Sequence, residues 1–453
     1  MIQVAVIFLF GALLSDASTY ETEMWQSRID EVSSSGGGRV TIPAGKHHVG
    51  QLYLKNNVEL HLEEGAVLEG VPGLHNYVVH ALPFSEGTWS AIVMGLNVTN
   101  VAITGRGMIH GHGELFEPVK THGLCDEGFR PRGVFFYRSK DIRLEDLQLR
   151  DAACWGIVLK CCDGMVARRV SIDSNANHNN DGFDIEAKNV IIENCEVDSG
   201  DDAYCIKSND PSFVVENIVV RGCVARSHCN GFKIGTATHG TIRNVRFLDC
   251  RAEPPRRIYR DLAPMPEDLS TWVSLEGVPQ YLCGAGIGAI CIECVDGGTV
   301  SDIEVDGVRV AGYQVPIFVR AGRRRNRICG IPPGDKHVLE DIRIRNVTGR
   351  AEHPVASTIT GVNGFGPKGV VLDDIDIECV GANVDPTILS EPGCEADGLY
   401  PEATMFRKYV LPSYGLYVSG AEVKMSSTVR FTVRPGTQES RPAVFDAKTR
   451  LMH

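Results

Sequence analysis

One short pattern recurs along the chain and restricts the fold more than any other feature. A polar residue is followed by apolar side chains at n, n+2, n+5 and n+7. It reads "DIRLEDLQL" (Ile142, Leu144, Leu147, Leu149), then "GMVARRVSI" from Met165, "NVIIENCEV" from Val190 and "NIVVRGCVA" from Ile218. "NVRFLDCRA" from Val245, "DIEVDGVRV" from Ile303, "DIRIRNVTG" from Ile342 and "GVVLDDIDI" from Val370 continue the series, with Gly349 weakening the seventh copy. The first five starts are 23, 25, 28 and 27 residues apart, and gaps of 58 and 39 follow. Two apolar pairs of period 2, broken by a two-residue polar corner, describe two short strands meeting at a bend. No such unit can bury its inner face alone, whereas stacked units share one continuous core. The expected fold is therefore all-β, a single-stranded parallel β-helix. Leucine-rich repeats have a similar period but need Leu and Asn at offsets that are missing.

The two longer gaps predict inserted loops at 253–270, 281–288 and 321–337, which in solenoids cluster on one face and wall a groove. Within the last of these, Arg323 to Arg325 reads as solvated surface. No low-complexity linker divides the chain, so residues 18–453 are expected to be one domain.

The formal net charge of -12 argues against general affinity for nucleic acid or an anionic membrane. Val4 to Leu14 is an apolar run of signal-peptide length, too short to span a bilayer, with Ser15 and Ala17 placed as a small-x-small cleavage site. No Lys or Arg precedes Arg28, which departs from the usual basic start. Residues 1–17 are thus expected to be a signal peptide and the product secreted or periplasmic; a buried N-terminal strand is the competing reading. Asn97-Val98-Thr99 and Asn346-Val347-Thr348 match the glycosylation acceptor pattern. Fifteen cysteines is an odd number for a disulfide framework. Cys195, Cys223 and Cys250 share one position of the repeat and read as small buried side chains. Bridges among Cys125, Cys283, Cys329 and Cys394 stay open.

Against this scaffold the acidic pairs stand out. "NNDGFDIE" (179–186) and "SGDDAYCIKS" (199–208) place Asp181 and Asp201 20 residues apart, close to one coil. Neighbouring coils of a parallel stack lie about 4.7–4.9 Å apart. Asp181, Asp201 and Asp202 are therefore expected on one outer face, with Asp184 nearby. Crowded carboxylates raise at least one pKa, so one group stays protonated while another is ionised. That division is what glycoside hydrolysis uses. Asp-Asp and Asn-Asp-Gly are also ordinary turn residues, and clustered carboxylates also suit calcium.

At these residues the chain resembles glycoside hydrolase family 28, the polygalacturonase and rhamnogalacturonan hydrolase group. "GGGRVTIPAGKHHVGQLYLKNNVELHLEEGAVLEG", "GRGMIHGHGELF" and "RPRGVFFYRSKDIRLEDLQLRDAACWGIVL" are similar to its N-terminal half. "NDG" at 180–182 falls in its Asn-x-Asp-Gly motif, and "GDD" at 200–202 matches its paired aspartates. The resemblance implies a right-handed, pectin lyase-like β-helix and cofactor-free, metal-independent, inverting hydrolysis of a pectic polysaccharide by a monomer. It casts Asp201 as general acid, and Asp181 and Asp202 as holders of the attacking water.

Two departures bear on the substrate. The family's Gly-His-Gly falls at "CNGFKIGT", where Asn230 stands in the histidine position and His228 is the nearest substitute. Its Arg-Ile-Lys falls at "CIE", giving Cys291 and Glu293, and a glutamate there would repel a galacturonate carboxylate. Lys233 and Arg320 could supply positive charge to the substrate instead. Rhamnogalacturonan or a decorated pectic chain becomes the alternative to plain homogalacturonan. A polysaccharide lyase and a non-catalytic glycan-binding β-helix are the competing classes.

Overall fold

The computed structural model describes residues 21–448, except 86–87, 117–129, 258–283, 325–336, 363, 383, 385–388, 393–399 and 407–408. The chain divides into two compact units, Met1–Glu196 and Val197–His453. Both are built from short parallel strands stacked in register, and the fold is a right-handed parallel β-helix. In the first unit Val101 faces Ile142, Ile142 faces Met165, and Met165 faces Val190. In the second, Ile218 faces Val245, Val245 faces Ile303, and Ile303 faces Ile342. The gaps of 58 and 39 residues thus separate adjacent coils, as expected of inserted loops, although much of each insertion lies outside the described residues.

The repeat has a backbone cause. In all eight copies the residue before the first apolar position has positive φ: Asp141, Gly164, Asn189, Asn217, Asn244, Asp302, Asp341 and Gly369, between 50° and 85°. So does the residue immediately before the third apolar position, n+4: Asp146, Arg169, Asn194, Gly222, Asp249, Gly307, Asn346 and Asp374. The left-handed region is costly for most L-residues and cheapest for Gly, Asn and Asp, which explains every one of these corner residues except Arg169. Between corners the apolar positions point inward. Ile142, Leu144, Leu147 and Leu149 are buried, as are Ile218, Val220, Cys223 and Ala225, and Val370, Leu372, Ile375 and Ile377. Cys195 and Cys250 are buried in the same way. Outside, like residues stack along columns: Asn244 Nδ2 donates to Asn217 Oδ1 at 2.7 Å, and Asn100 Nδ2 to Asn57 Oδ1 at 2.9 Å.

Residues 21–34 form a helix that the repeat does not announce. Trp25 and Ile29 are buried on its inner face. Gln26 both donates to the Tyr53 carbonyl (3.0 Å) and accepts from the Tyr53 N–H (2.8 Å), satisfying strand backbone groups that would otherwise invite pairing with another chain. Among the described residues no helix is long and apolar enough to cross a membrane. All eleven described cysteines are free. Cys125, Cys283, Cys329 and Cys394, and residues 1–17, lie outside the described residues.

The corner rule makes a contrast. Asn244→Val forces a β-branched side chain to φ 50° and removes the Asn217 contact, and is expected to destabilise the fold by about 1–2 kcal/mol. Asn244→Gly should cost less than Asn244→Val. Denaturant or calorimetric unfolding of the two variants checks the order; equal losses would contradict the backbone explanation.

Candidate active site

Asp201 and Asp202 occupy the bend between the strands Glu196–Ser199 and Tyr204–Ser208. The hydroxyls of Ser199 and Ser227 both donate to the Asp201 carbonyl at 2.6 Å, and the Ala203 N–H donates to the Asn230 carbonyl at 2.8 Å. The bend is thereby fixed to the coil that follows. Asp201 is partly exposed, and its Oδ1 accepts from the Asp202 N–H at 2.9 Å. Asp202 is buried, and three groups converge on it. Lys233 Nζ lies 3.0 Å from Oδ2, Asn230 Nδ2 donates to Oδ1 at 2.7 Å, and Cys205 Sγ donates to Oδ2 at 3.5 Å.

Lys233 and Asn230 come from the strand Asn230–Thr238, one coil beyond the Asp pair, where Lys233 pairs in register with Cys205 and Cys291. Both residues reach a second carboxylate, Glu402. Its Oε2 accepts from Asn230 Nδ2 at 3.0 Å, and its Oε1 lies 3.6 Å from Lys233 Nζ. Glu402 is buried and was not anticipated, since nothing in the local sequence around it repeats or forms a motif. A fourth acid, Glu293, is fully buried, and neither of its oxygens has a hydrogen-bond partner among the described residues.

The electrostatics separate these acids. Burial raises the Asp201 carboxyl above its ordinary range, and the charge of Asp202 raises it further. For Asp202 burial acts in the same sense, but Lys233, Lys207 and the Asn230 amide outweigh it, so its pKa falls. Burial, partly offset by Lys233, pushes Glu402 up. Glu293 is pushed well above the usual carboxylate range, again by burial first. Burial would lower Lys233, yet Asp202, Glu402 and Glu293 hold it well above its usual value. Lys233 and Lys207 thus divide the cluster: Asp202 gives up its proton more readily than a free aspartate, and Asp201, Glu402 and Glu293 hold theirs more tightly than free carboxyls. The repulsion expected between Glu293 and a uronate presumes an ionised glutamate, whereas burial pushes this carboxyl well above its usual range.

The remaining expected residues are placed as follows. His228 is buried, and its Nε2 donates to the Arg257 carbonyl at 2.7 Å. Arg320 is buried, pairs in register with Glu293, and donates to Thr360 Oγ1 at 3.1 Å. The expectation of a solvated Arg323–Arg325 run fails at its centre. Arg324 is buried and makes a two-pronged ion pair with the buried Asp296, at 2.9 and 2.7 Å, whereas Arg323 is exposed and Arg325 is outside the described residues. Asp181 and Asp184 belong to the first unit, both buried. Gly156 donates to the Asp181 carbonyl at 2.8 Å, and Asn180 anchors the same loop by donating to the Ala152 carbonyl at 2.6 Å.

An acid of raised pKa beside one of lowered pKa, on a β-helix, now has a context among known proteins. The model of glycosyl hydrolases family 28 matches residues 33–254. The chain belongs to that family. A Vitis vinifera protein named "Probable polygalacturonase" is 27% identical over 261 residues, a match covering 53% of this chain and 53% of that protein. The chain therefore spans about half the length of that relative. A Zea mays exopolygalacturonase is 21% identical, with 82% of this chain and 81% of the maize protein covered. The crystal structure of a Thermotoga maritima exopolygalacturonase superimposes with TM-score 0.61 and 22% identity, covering 89% of this chain and 88% of the other.

The ion pair can be tested without substrate. Lys233→Met leaves Asp202 buried without its cation, and at pH 7 should destabilise the protein by about 3–5 kcal/mol. A group of depressed folded pKa contributes stability above its unfolded pKa that is lost as pH falls. In the variant that contribution is gone, so the gap from wild type should narrow as the pH drops below the ordinary aspartate range. Unfolding curves at pH 7 and at lower pH measure it.

Proposed function

We propose that the protein hydrolyses glycosidic bonds in a pectin-type polysaccharide with inversion at the anomeric carbon. The observation that carries the reading is the opposite displacement of two adjacent aspartates. Asp201, partly exposed and with its pKa raised, donates a proton to the leaving glycosidic oxygen. Asp202, held ionised by Lys233 and Asn230, takes a proton from the attacking water. Asp181 shares in holding that water, a role supported by the Asn180-Asp181-Gly182 resemblance. Ionised Asp202 also stabilises positive charge that develops on the sugar in the transition state. Names of the relatives, polygalacturonase and exopolygalacturonase, agree with a pectic substrate. Export fits such a substrate, and the apolar run Val4 to Leu14 supports it.

Rhamnogalacturonan or a decorated pectic chain is the second reading. Cys291 and Glu293 stand where the family resemblance puts two basic residues, and Lys233 is already engaged by Asp202 and Glu402.

Reducing-end release from polygalacturonate and from rhamnogalacturonan, with wild type, Asp201→Asn and Asp181→Asn, tests the assignment. Asp201→Asn should lower kcat by about 10²–10⁴-fold with little change in KM. The wild-type rate should fall at low pH as Asp202 takes up a proton, and at higher pH as Asp201 loses one. Activity surviving both substitutions would refute these roles, and an unsaturated product would replace hydrolysis with elimination.

A further inference from the structure

A second cluster of ionisable side chains lies wholly within the first unit, and the proposed hydrolysis does not use it. The strands Gly45–Val49, Ala66–Gly70 and Met108–His110 stack in register so that His48 faces Glu69 and Glu69 faces His110. Two imidazoles thus flank one carboxylate in a column three coils deep. His112 follows His110 by two residues and takes a left-handed conformation, φ 47° and ψ 44°. That turn folds its ring back onto His110, with centroids 3.8 Å apart.

The ligand atoms of Glu69, His110 and His112 all lie within 4.8 Å of one another. Glu69 is buried, and its Oε1 is 3.9 Å from His112 Nε2 while its Oε2 is 3.3 Å from His48 Nδ1. The other nitrogen of His112, Nδ1, sits 3.2 Å from Glu114 Oε1. A carboxylate that accepts the Nδ1 proton leaves the Nε2 lone pair directed at Glu69, which is the arrangement that prepares a histidine for a metal ion. His110 Nε2 in turn lies 4.0 Å from Asp151 Oδ2.

We propose that Glu69, His110 and His112 bind a divalent transition-metal ion of the zinc type, joining adjacent coils of the first unit. Two imidazoles and one carboxylate select such an ion over calcium or magnesium, which prefer all-oxygen shells. Tetrahedral donors about 2.0–2.2 Å from the metal stand about 3.4 Å apart, so the ligands must close by roughly an ångström. His112 and Glu114 lie on a surface segment that can supply that movement, the latter exposed. The present occupant of Glu69 is Lys46, whose Nζ is 2.8 Å from Oε1 and whose side chain is 70% exposed. A metal ion would displace that ammonium into solvent.

The competition with Lys46 gives a test in both directions. Tag-free, chelator-stripped protein is titrated with Zn(II), and separately with Ca(II), by calorimetry, and its melting temperature is followed. Wild type should bind one equivalent of Zn(II), ignore Ca(II), and melt at higher temperature with Zn(II) present. His112→Asn, which tolerates the left-handed turn, and Glu69→Gln should each weaken Zn(II) binding by about tenfold or more. Lys46→Ala removes only a surface ammonium and should tighten it. Binding in His112→Asn equal to wild type, no gain in Lys46→Ala, or Ca(II) bound as well as Zn(II) would each overturn the assignment.

Discussion

In-register parallel stacking is the constraint on which the rest of this structure depends. Each coil sets its side chains over those of the next at the strand spacing, so one residue's chemistry is repeated or answered one coil away. Inside, columns of Val, Ile, Leu and Cys fill the core. At the corners, Asn and Asp tolerate the left-handed turn and hydrogen-bond along the stack, as Asn217 and Asn244 do. Charged residues admitted to a column must be compensated within it or lose their charge. Lys233 between Cys205 and Cys291, and Glu293 beside Arg320, are two such insertions.

The acid cluster follows from that rule. Four carboxyl groups, on Asp201, Asp202, Glu293 and Glu402, outnumber the buried lysines Lys233 and Lys207 beside them. One ammonium can neutralise about one carboxylate, and Asp202 is the best placed, with Lys233 at 3.0 Å and the Asn230 amide at 2.7 Å. For the others the desolvation cost appears as a raised pKa. A partly exposed acid of raised pKa beside one of lowered pKa is thus a product of burial and of where the buried cations sit. No metal is required to produce it.

Much of this was legible in the sequence. The spacing n, n+2, n+5, n+7 declares the coils, and the two-residue polar breaks declare the bends; that Asp, Asn and Gly recur there because of positive φ comes from the structure. The adjacent Asp201 and Asp202 could be read as a split pair from their mutual repulsion. What the sequence hid is non-periodic or distant. Glu402 reaches Asn230 across 172 residues with no motif around it. The helix at 21–34 precedes the repeat. Arg324 belongs to a run of arginines that carries no sign of its buried partner Asp296, and the residues around Glu293 in the sequence do not declare its burial. Charge state depends on desolvation, and desolvation is a property of the folded neighbourhood.

Site-resolved titration of the side-chain carboxyls by ¹³C NMR, with Asp201→Asn and Asp202→Asn used to assign the two resonances, is the most direct test. The account predicts that Asp202 ionises below the ordinary aspartate range and Asp201 above it. Two aspartates titrating together near the ordinary value, or in the reverse order, would contradict it.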